Sequence, residues 1–261
     1  APEAEVRRNA REVFRNVARY YVDLIRLPLT PPQTLLEEQV RIHGLENLTE
    51  PMKQGRGVVV VTAHFGNPEV AVQVGPLLGI DVLVLAEPLR PPMFARLMRQ
   101  IRGTFGPRYM DVGFGAIAEA LRHLRAGGCL AITCDRDIQG RGALLPFFGV
   151  LTRMPTGAID IALRTNALVV PGYCLRAPDS CFDIHFEEPL DLVVTGDRKR
   201  DEIENTKALL KRVEGWIRAH PGQWMPLERI WKPLDRRQAP PPASARPPED
   251  REQAATMRAD G

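Results

Sequence analysis

The side chains best suited to chemistry are His64 and Glu69, in the run Thr62-Ala-His-Phe-Gly-Asn-Pro-Glu69. A histidine held against a carboxylate can take a proton from a hydroxyl. The carboxylate fixes the imidazole tautomer and stabilises the imidazolium formed in the transition state. Local residue types favour such a meeting. Gly66 lets the chain turn back, Asn67 is a good helix N-cap, Pro68 suits the first helical position, and Glu69 falls in the first turn, where negative charge is favoured. No serine follows in a G-x-S-x-G turn and no cysteine lies nearby, so the acceptor hydroxyl itself is the expected nucleophile. The pattern His-x4-Glu does not by itself exclude a core histidine with Glu69 serving only the helix dipole. A metal site finds no support, because H-E-x-x-H and close His or Cys spacings are absent. A dinucleotide site would want G-x-G-x-x-G after the first strand, where the chain reads Ala63-His-Phe-Gly-Asn instead.

These residues need a scaffold, and the hydrophobic pattern supplies one. Residues 57–62, 80–85, 129–134 and 167–171 are short, β-branched or apolar runs, as expected of strands buried on both faces. Pro171 is expected to end the last of them. Helical patterns over 91–103, 114–126 and 154–166 lie between, and a charged helix spans 199–219. Alternating strands and helices predict an α/β fold, a mostly parallel central sheet flanked by helices. Residues 182–188 alternate Phe182, Ile184 and Phe186 with Asp183, His185 and Glu187, predicting an antiparallel strand near an edge. Pro76, behind Gly75, should kink or shorten the helix that Glu69 opens. His64 then leaves the carboxyl end of a buried strand, where open α/β sheets bind ligands. Asp135, Arg136 and Asp137 follow the run 129–134 and should reach the same crevice.

The chain has 261 residues, 44% hydrophobic and 26% charged, with a net charge of +3, enough for one substantial core and no strong field for nucleic acid. Only Lys53, Lys199, Lys207, Lys211 and Lys232 among its basic residues are lysines; the arginine excess suits phosphate or carboxylate binding, or simply a GC-rich genome. Cys129, Cys134, Cys174 and Cys181 form no CxxC pair, which reads as a reduced protein facing the cytosol. No run approaches the roughly 18 apolar residues of a membrane span, and no cleavable signal peptide is visible. Residues 5–26 form an amphipathic pattern, with Phe14, Val17, Tyr20, Tyr21 and Leu24 against Arg7, Arg8, Arg11, Arg15 and Arg19. Such a helix either lies in a membrane interface or packs on the core with a solvated basic face. Three regions are expected: residues 1–30 as this helix with possible membrane contact, 31–235 as the catalytic domain, and a Pro- and Arg-rich tail at 236–261 without stable structure.

The block His64-Phe-Gly-Asn-Pro-Glu69 resembles the H-F-G-N-W-E/D block of the bacterial lipid A biosynthesis (lauroyl/myristoyl) acyltransferases, a group that includes phosphatidylinositol mannoside acyltransferases. The resemblance continues in order through Cys134-Asp-Arg-Asp-Ile, Leu145-Pro-Phe-Phe-Gly149, Pro155-Thr-Gly-Ala-Ile-Asp-Ile-Ala-Leu-Arg164 and Pro221-Gly-Gln-Trp224, covering about residues 6–233. It implies an O-acyltransferase that moves a fatty acyl chain from an acyl-ACP or acyl-CoA thioester to a glycolipid hydroxyl. The acceptor would be a lipid A precursor or a phosphatidylinositol mannoside. It further implies His64 as base with Glu69 as orienting carboxylate, no metal or organic cofactor, and a place on the cytoplasmic face of the bacterial inner membrane, peripheral or anchored. Pro68 stands where the family usually has Trp, which alters the groove wall beside the base. The family's hydrophobic N-terminal segment is missing, leaving room for an anchor upstream of Ala1.

Asn67, Arg99, Arg102, Asp135, Arg136, Asp137 and Phe148 are the expected substrate-binding residues. Arg99 and Arg102 suit an acceptor phosphate or are solvated helix charges, the Asp-Arg-Asp block either shapes the site or forms a surface turn with a local salt bridge, and Phe148 either lines an acyl path or sits in a plain core turn. Gln223, Trp224 and Trp231 either sit at headgroup depth or cap the core. Two alternatives stand beside glycolipid acylation. One is a lysophospholipid or other lipid acyltransferase, although the F-P-E-G-T-R-S block of glycerol phosphate enzymes is not evident. The other is a catalytically inactive lipid-binding homologue.

Overall fold

The computed structural model describes residues 2–232; the expected 236–261 tail lies outside them. The chain up to Ile230 forms one compact unit, and of the second unit, beginning at Trp231, only two residues are described. In chain order the elements are α1 (Glu3–Arg26), a single turn α2 (Pro32–Thr34), β1 (Val40–His43), α3 (Glu46–Lys53), β2 (Val58–Thr62), α4 (Pro68–Leu77), β3 (Val82–Ala86), α5 (Pro92–Arg102), β4 (Arg108–Asp111) and α6 (Phe114–Arg125). There follow β5 (Cys129–Thr133), the hairpin β6 (Ala143–Phe147) and β7 (Val150–Met154), α7 (Gly157–Thr165), β8 (Leu168–Arg176), β9 (Phe182–Phe186) and α8 (Arg198–Ala219).

Seven strands form one sheet in the order β1-β9-β8-β2-β5-β3-β4, and every pairing is parallel except β8 with β9. The α/β class with a mostly parallel, helix-covered sheet is therefore what the residue pattern predicted. β2 lies centrally between β8 and β5, and Val58, Val59 and Val61 are fully buried. Its run of β-branched residues fits a strand covered on both faces. One face gives Val59 and Val61 to the main core with Leu130, Ile159 and Val213, and the other gives Val58 to a cluster with Val82, Cys129 and Val170.

Five differences from the sequence reading have physical causes. Pro171 does not end β8; the strand changes partners there, pairing with β2 through Pro171 and with β9 from Gly172 onward. β9 is antiparallel to β8 as expected, but the edge beyond it is taken by β1, only four residues long. β4, with a polar Arg-Tyr-Met-Asp sequence, gave no strand signal because it is the opposite edge. The hairpin was hidden by its turn, where Phe148 and Gly149 have φ of 51° and 75°; a phenylalanine is an unusual occupant of that region. Met154 closes this hairpin, so α7 starts later than its apolar pattern suggests. Among the described residues no helix is long and apolar enough to cross a membrane.

Candidate active site

β2 delivers His64 to the carboxyl edge of the sheet, and the loop behind it is held on both sides. Gly66 has φ of 62°, and a Cβ there would lie 1.6 Å from the Cys174 carbonyl oxygen, so only glycine fits. Gly66 N donates to Gln223 O at 2.8 Å, Met225 N to His64 O at 2.7 Å, and Asn67 N to Cys174 O at 3.1 Å. Asn67 caps α4, its side chain accepting from Val70 N at 3.3 Å, while its Nδ2 donates to Asp23 Oδ2 of α1 at 2.9 Å. Pro68 occupies the first turn as its type implied, and α4 ends one residue past Pro76.

The carboxylate on the imidazole is Asp135 rather than Glu69. His64 Nδ1 lies 2.8 Å from Asp135 Oδ1, and the His64 amide donates to Oδ2 at 3.0 Å. Trp224 Nε1 also donates to Oδ2, at 2.8 Å. Asp135 is wholly buried, which pushes its carboxyl up. The His64 charge and the hydrogen bonds from the imidazole, the indole and the amide outweigh burial, holding it below the ordinary carboxylate value. An ionised Asp135 requires a proton on Nδ1, leaving the lone pair on Nε2.

Glu69 serves a different group, and this corrects the expected His64–Glu69 pairing. Its Oε1 accepts from Arg102 Nε and Nη2 at 3.0 and 2.5 Å and from the Tyr20 hydroxyl at 3.5 Å, and its Oε2 accepts from the Tyr109 hydroxyl at 2.7 Å. The helix turns the Glu69 side chain towards α1, α5 and β4, whereas the ring of His64 meets the end of β5. Burial alone would lower the Arg102 guanidinium, but the Glu69 charge and hydrogen bonds raise it. Burial and then Glu69 raise both phenols well above their ordinary value. Gln73, also fully buried, fixes the last turn of α5 by donating to Arg102 O at 2.7 Å.

A cleft of about 240 Å³ joins the two groups; His64, Glu69, Arg102, Tyr109 and Arg136 line it together with Tyr20 and Tyr21 of α1. Arg136 is pinned by Glu87, by Pro226 O at 3.2 Å and by Glu228 at 3.5 Å, with its Nε buried and unpartnered. Thr62, Pro68, Val72 and Ala131 are shared with a second, apolar cavity of about 60 Å³ that runs between α4 and the sheet towards Ile80 and Cys129. Pro68 therefore walls both spaces.

The other expected residues fall outside the cleft lining. Arg99 is exposed on α5. Asp137 accepts from Gly142 N at 2.8 Å and so closes the loop before β6. Phe148 lies at the hairpin turn, 4.9 Å from the Phe147 ring and under the Arg218 guanidinium. Trp224, Tyr20 and Tyr109 were not read as site residues, since each comes from an element distant in sequence from His64. Burial raises the thiol of Cys134, beside Asp135, well above its ordinary value and those of Cys129 and Cys174 to about 12, so these thiols are poor nucleophiles. Among the described residues, no group of three or more His, Cys, Asp and Glu side chains is placed to hold a metal ion.

A histidine–carboxylate pair and an arginine–carboxylate pair thus stand together at the strand ends of an α/β sheet, beside an apolar cavity. The family model described as bacterial lipid A biosynthesis acyltransferase matches residues 1–233, and the chain belongs to that family; it is an acyltransferase. Among its relatives, the phosphatidylinositol mannoside acyltransferase of Mycolicibacterium smegmatis is 28% identical over 232 residues, covering 85% of this chain and 71% of that protein. The phosphatidylinositol mannoside acyltransferase of Mycobacterium tuberculosis is 27% identical over 226 residues, covering 84% of this chain and 68% of its own length.

Proposed function

We propose that this acyltransferase moves a fatty acyl chain from an acyl-ACP or acyl-CoA thioester to a sugar hydroxyl of a glycolipid, with His64 as general base and Asp135 as its orienting carboxylate. The carrying observation is the 2.8 Å contact between His64 Nδ1 and buried Asp135, which leaves Nε2 as the basic nitrogen of a cleft-lining ring. Nε2 takes the acceptor's hydroxyl proton as the oxygen attacks the thioester carbonyl carbon. The tetrahedral intermediate collapses with loss of the C–S bond, and the departing thiolate receives the proton from the imidazolium. Arg102, held by Glu69 and lying over the Tyr109 ring, presents a fixed cation for the acceptor's phosphate or the donor's anionic groups. The cleft and the apolar cavity beside Pro68 and Val72 together take the acyl chain, the cavity holding only a short part of it. The names of the relatives favour a phosphatidylinositol mannoside acceptor over a lipid A precursor.

Work at a membrane surface accords with the α1 helix. Phe14, Val22 and Ile25 are 74%, 52% and 65% exposed beside the exposed arginines Arg11, Arg15 and Arg19, a pairing suited to an anionic interface. We assign that surface to the cytoplasmic face of the plasma membrane, where the thioester donors are made. The test is acyl transfer in vitro. Wild type, His64→Ala and Asp135→Asn are incubated with labelled acyl-CoA or acyl-ACP and phosphatidylinositol mannoside or lipid A precursor. Acylated product from wild type and near-complete loss in both variants is expected; equal transfer by all three would overturn the assignment.

A further inference from the structure

Asp135 has two oxygens, and only one faces the imidazole. Oδ1 takes His64 Nδ1, while Oδ2 takes the His64 amide and the Trp224 indole N–H. These two donors on Oδ2 fix the plane of the carboxylate and so the direction of Oδ1. Trp224 is itself placed with care. The 3-10 turn Pro221–Gln223 leads into it, Phe65 and Trp224 form an antiparallel bridge, and the flanking amide bonds from Gly66 to Gln223 and from Met225 to His64 lock the two segments together. Its ring rests against Phe147, 6.0 Å between centroids, and Phe148, 6.4 Å. It is not among the residues lining the cleft, so it acts through Asp135 and not on substrate.

We infer that Trp224 is a positioning residue whose indole N–H holds Asp135 on the imidazole and moderates the negative charge that the carboxylate presents to it. The inference rests on the His64–Asp135 reading above. The sign follows from competition for one carboxylate. Each donor on Oδ2 draws off negative charge, so the Trp224 N–H weakens the support Asp135 lends to the imidazolium. Without it, the charge on Asp135 acts more fully on the ring, and the proton leaves the pair only at higher pH. The base form then appears later on the acid side, while a less firmly held carboxylate lowers turnover.

The experiment compares the full-length wild type with Trp224→Phe and with the same position carrying 3-benzothienylalanine, which keeps the bicyclic shape but replaces N–H by sulfur. Transfer from palmitoyl-CoA to a phosphatidylinositol mannoside is followed from pH 5 to 9, and the His64 Nδ1-bound proton is followed by NMR in the same proteins. Both replacements should lower kcat roughly 10- to 100-fold, the range for loss of a hydrogen bond to a charged group. The KM for palmitoyl-CoA should change less than twofold. The acidic limb of the profile should move up by about half a pH unit, and the Nδ1 proton signal should broaden or shift. The isostere keeps the packing, so it separates the N–H from the ring even if Trp224→Phe folds poorly. An isostere with wild-type kcat, pH profile and Nδ1 signal would overturn the inference. Asp135→Asn serves as the reference, and the NMR signal is read whether or not this acceptor is used. If Asp135→Asn alters the Nδ1 signal and the isostere does not, only the role of Trp224 fails. If Asp135→Asn itself leaves that signal unchanged, the His64–Asp135 reading fails instead.

Discussion

Asp135 and Glu69 are both buried carboxylates beside one cleft, yet one is surrounded by neutral donors and a histidine, the other by a guanidinium and two phenols. Glu69 faces Arg102, whose charge is permanent, so its partner has no proton to exchange. Asp135 faces a ring that can gain and lose a proton, with donors on its second oxygen that keep it ionised throughout. The comparison separates a carboxylate that supports a cation from one that supports proton transfer. The two have the same residue chemistry, and their partners make the difference.

The sharpest break between the two groups should come at the base. His64→Ala is expected to lower kcat about 100- to 10,000-fold, the range for positioned general-base catalysis, and to lower the melting temperature as well, since it leaves the buried Asp135 carboxylate without its ring partner. Asp135→Asn should lose on the order of 100-fold in kcat, because an amide can donate as well as accept and no longer enforces a proton on Nδ1. Acyl transfer at saturating donor reads both.

Glu69→Gln should reverse the pattern, with a larger loss of stability than of turnover. It leaves the Arg102 guanidinium, only 16% exposed at the side chain, without its counter-charge, and breaking such a pair typically removes about 3–5 kcal/mol. Urea unfolding of Glu69→Gln and Asp135→Asn side by side checks the contrast. If Asp135→Asn were the more unfolded and Glu69→Gln the less active, the division between the two carboxylates would be reversed.

The smallest effect is the acid dependence of stability. The Asp135 carboxyl lies lower in the folded chain than in the unfolded one, so the native state binds fewer protons as acid is added. Its stabilisation is complete above the unfolded carboxylate value, about 4. It is lost as pH falls through the lower folded value. The stability difference between wild type and Asp135→Asn, measured by urea unfolding from pH 6 to 3, should therefore shrink towards the acid end. A difference that stayed constant over that range would mean the carboxyl is not held down by its donors.

Much of the scaffold was legible because it depends on near neighbours. The valine run of β2, the Asn67–Pro68 cap and the Gly66 turn each follow from residues within a few positions, and the structure contains all three. The edge strands β1 and β4 were not legible, being short and without a continuous apolar signal. Phe148 concealed the hairpin because side-chain type argued against the backbone conformation that the turn requires.

The site divides in the same way. From sequence alone came His64 at the end of a buried strand, Glu69 in the first turn of the next helix, and Asp135 at the end of another strand. Which carboxylate reaches the imidazole depended on strand order: β5 pairs with β2, with Thr62 opposite Thr133, and carries Asp135 to His64 across 71 positions of chain. Arg102, Tyr20 and Tyr109 likewise reach Glu69 from α5, α1 and β4. Backbone turns and caps are settled by local sterics and hydrogen bonds, while the partner of a side chain is settled by which elements pack beside it, and only the tertiary structure decided that.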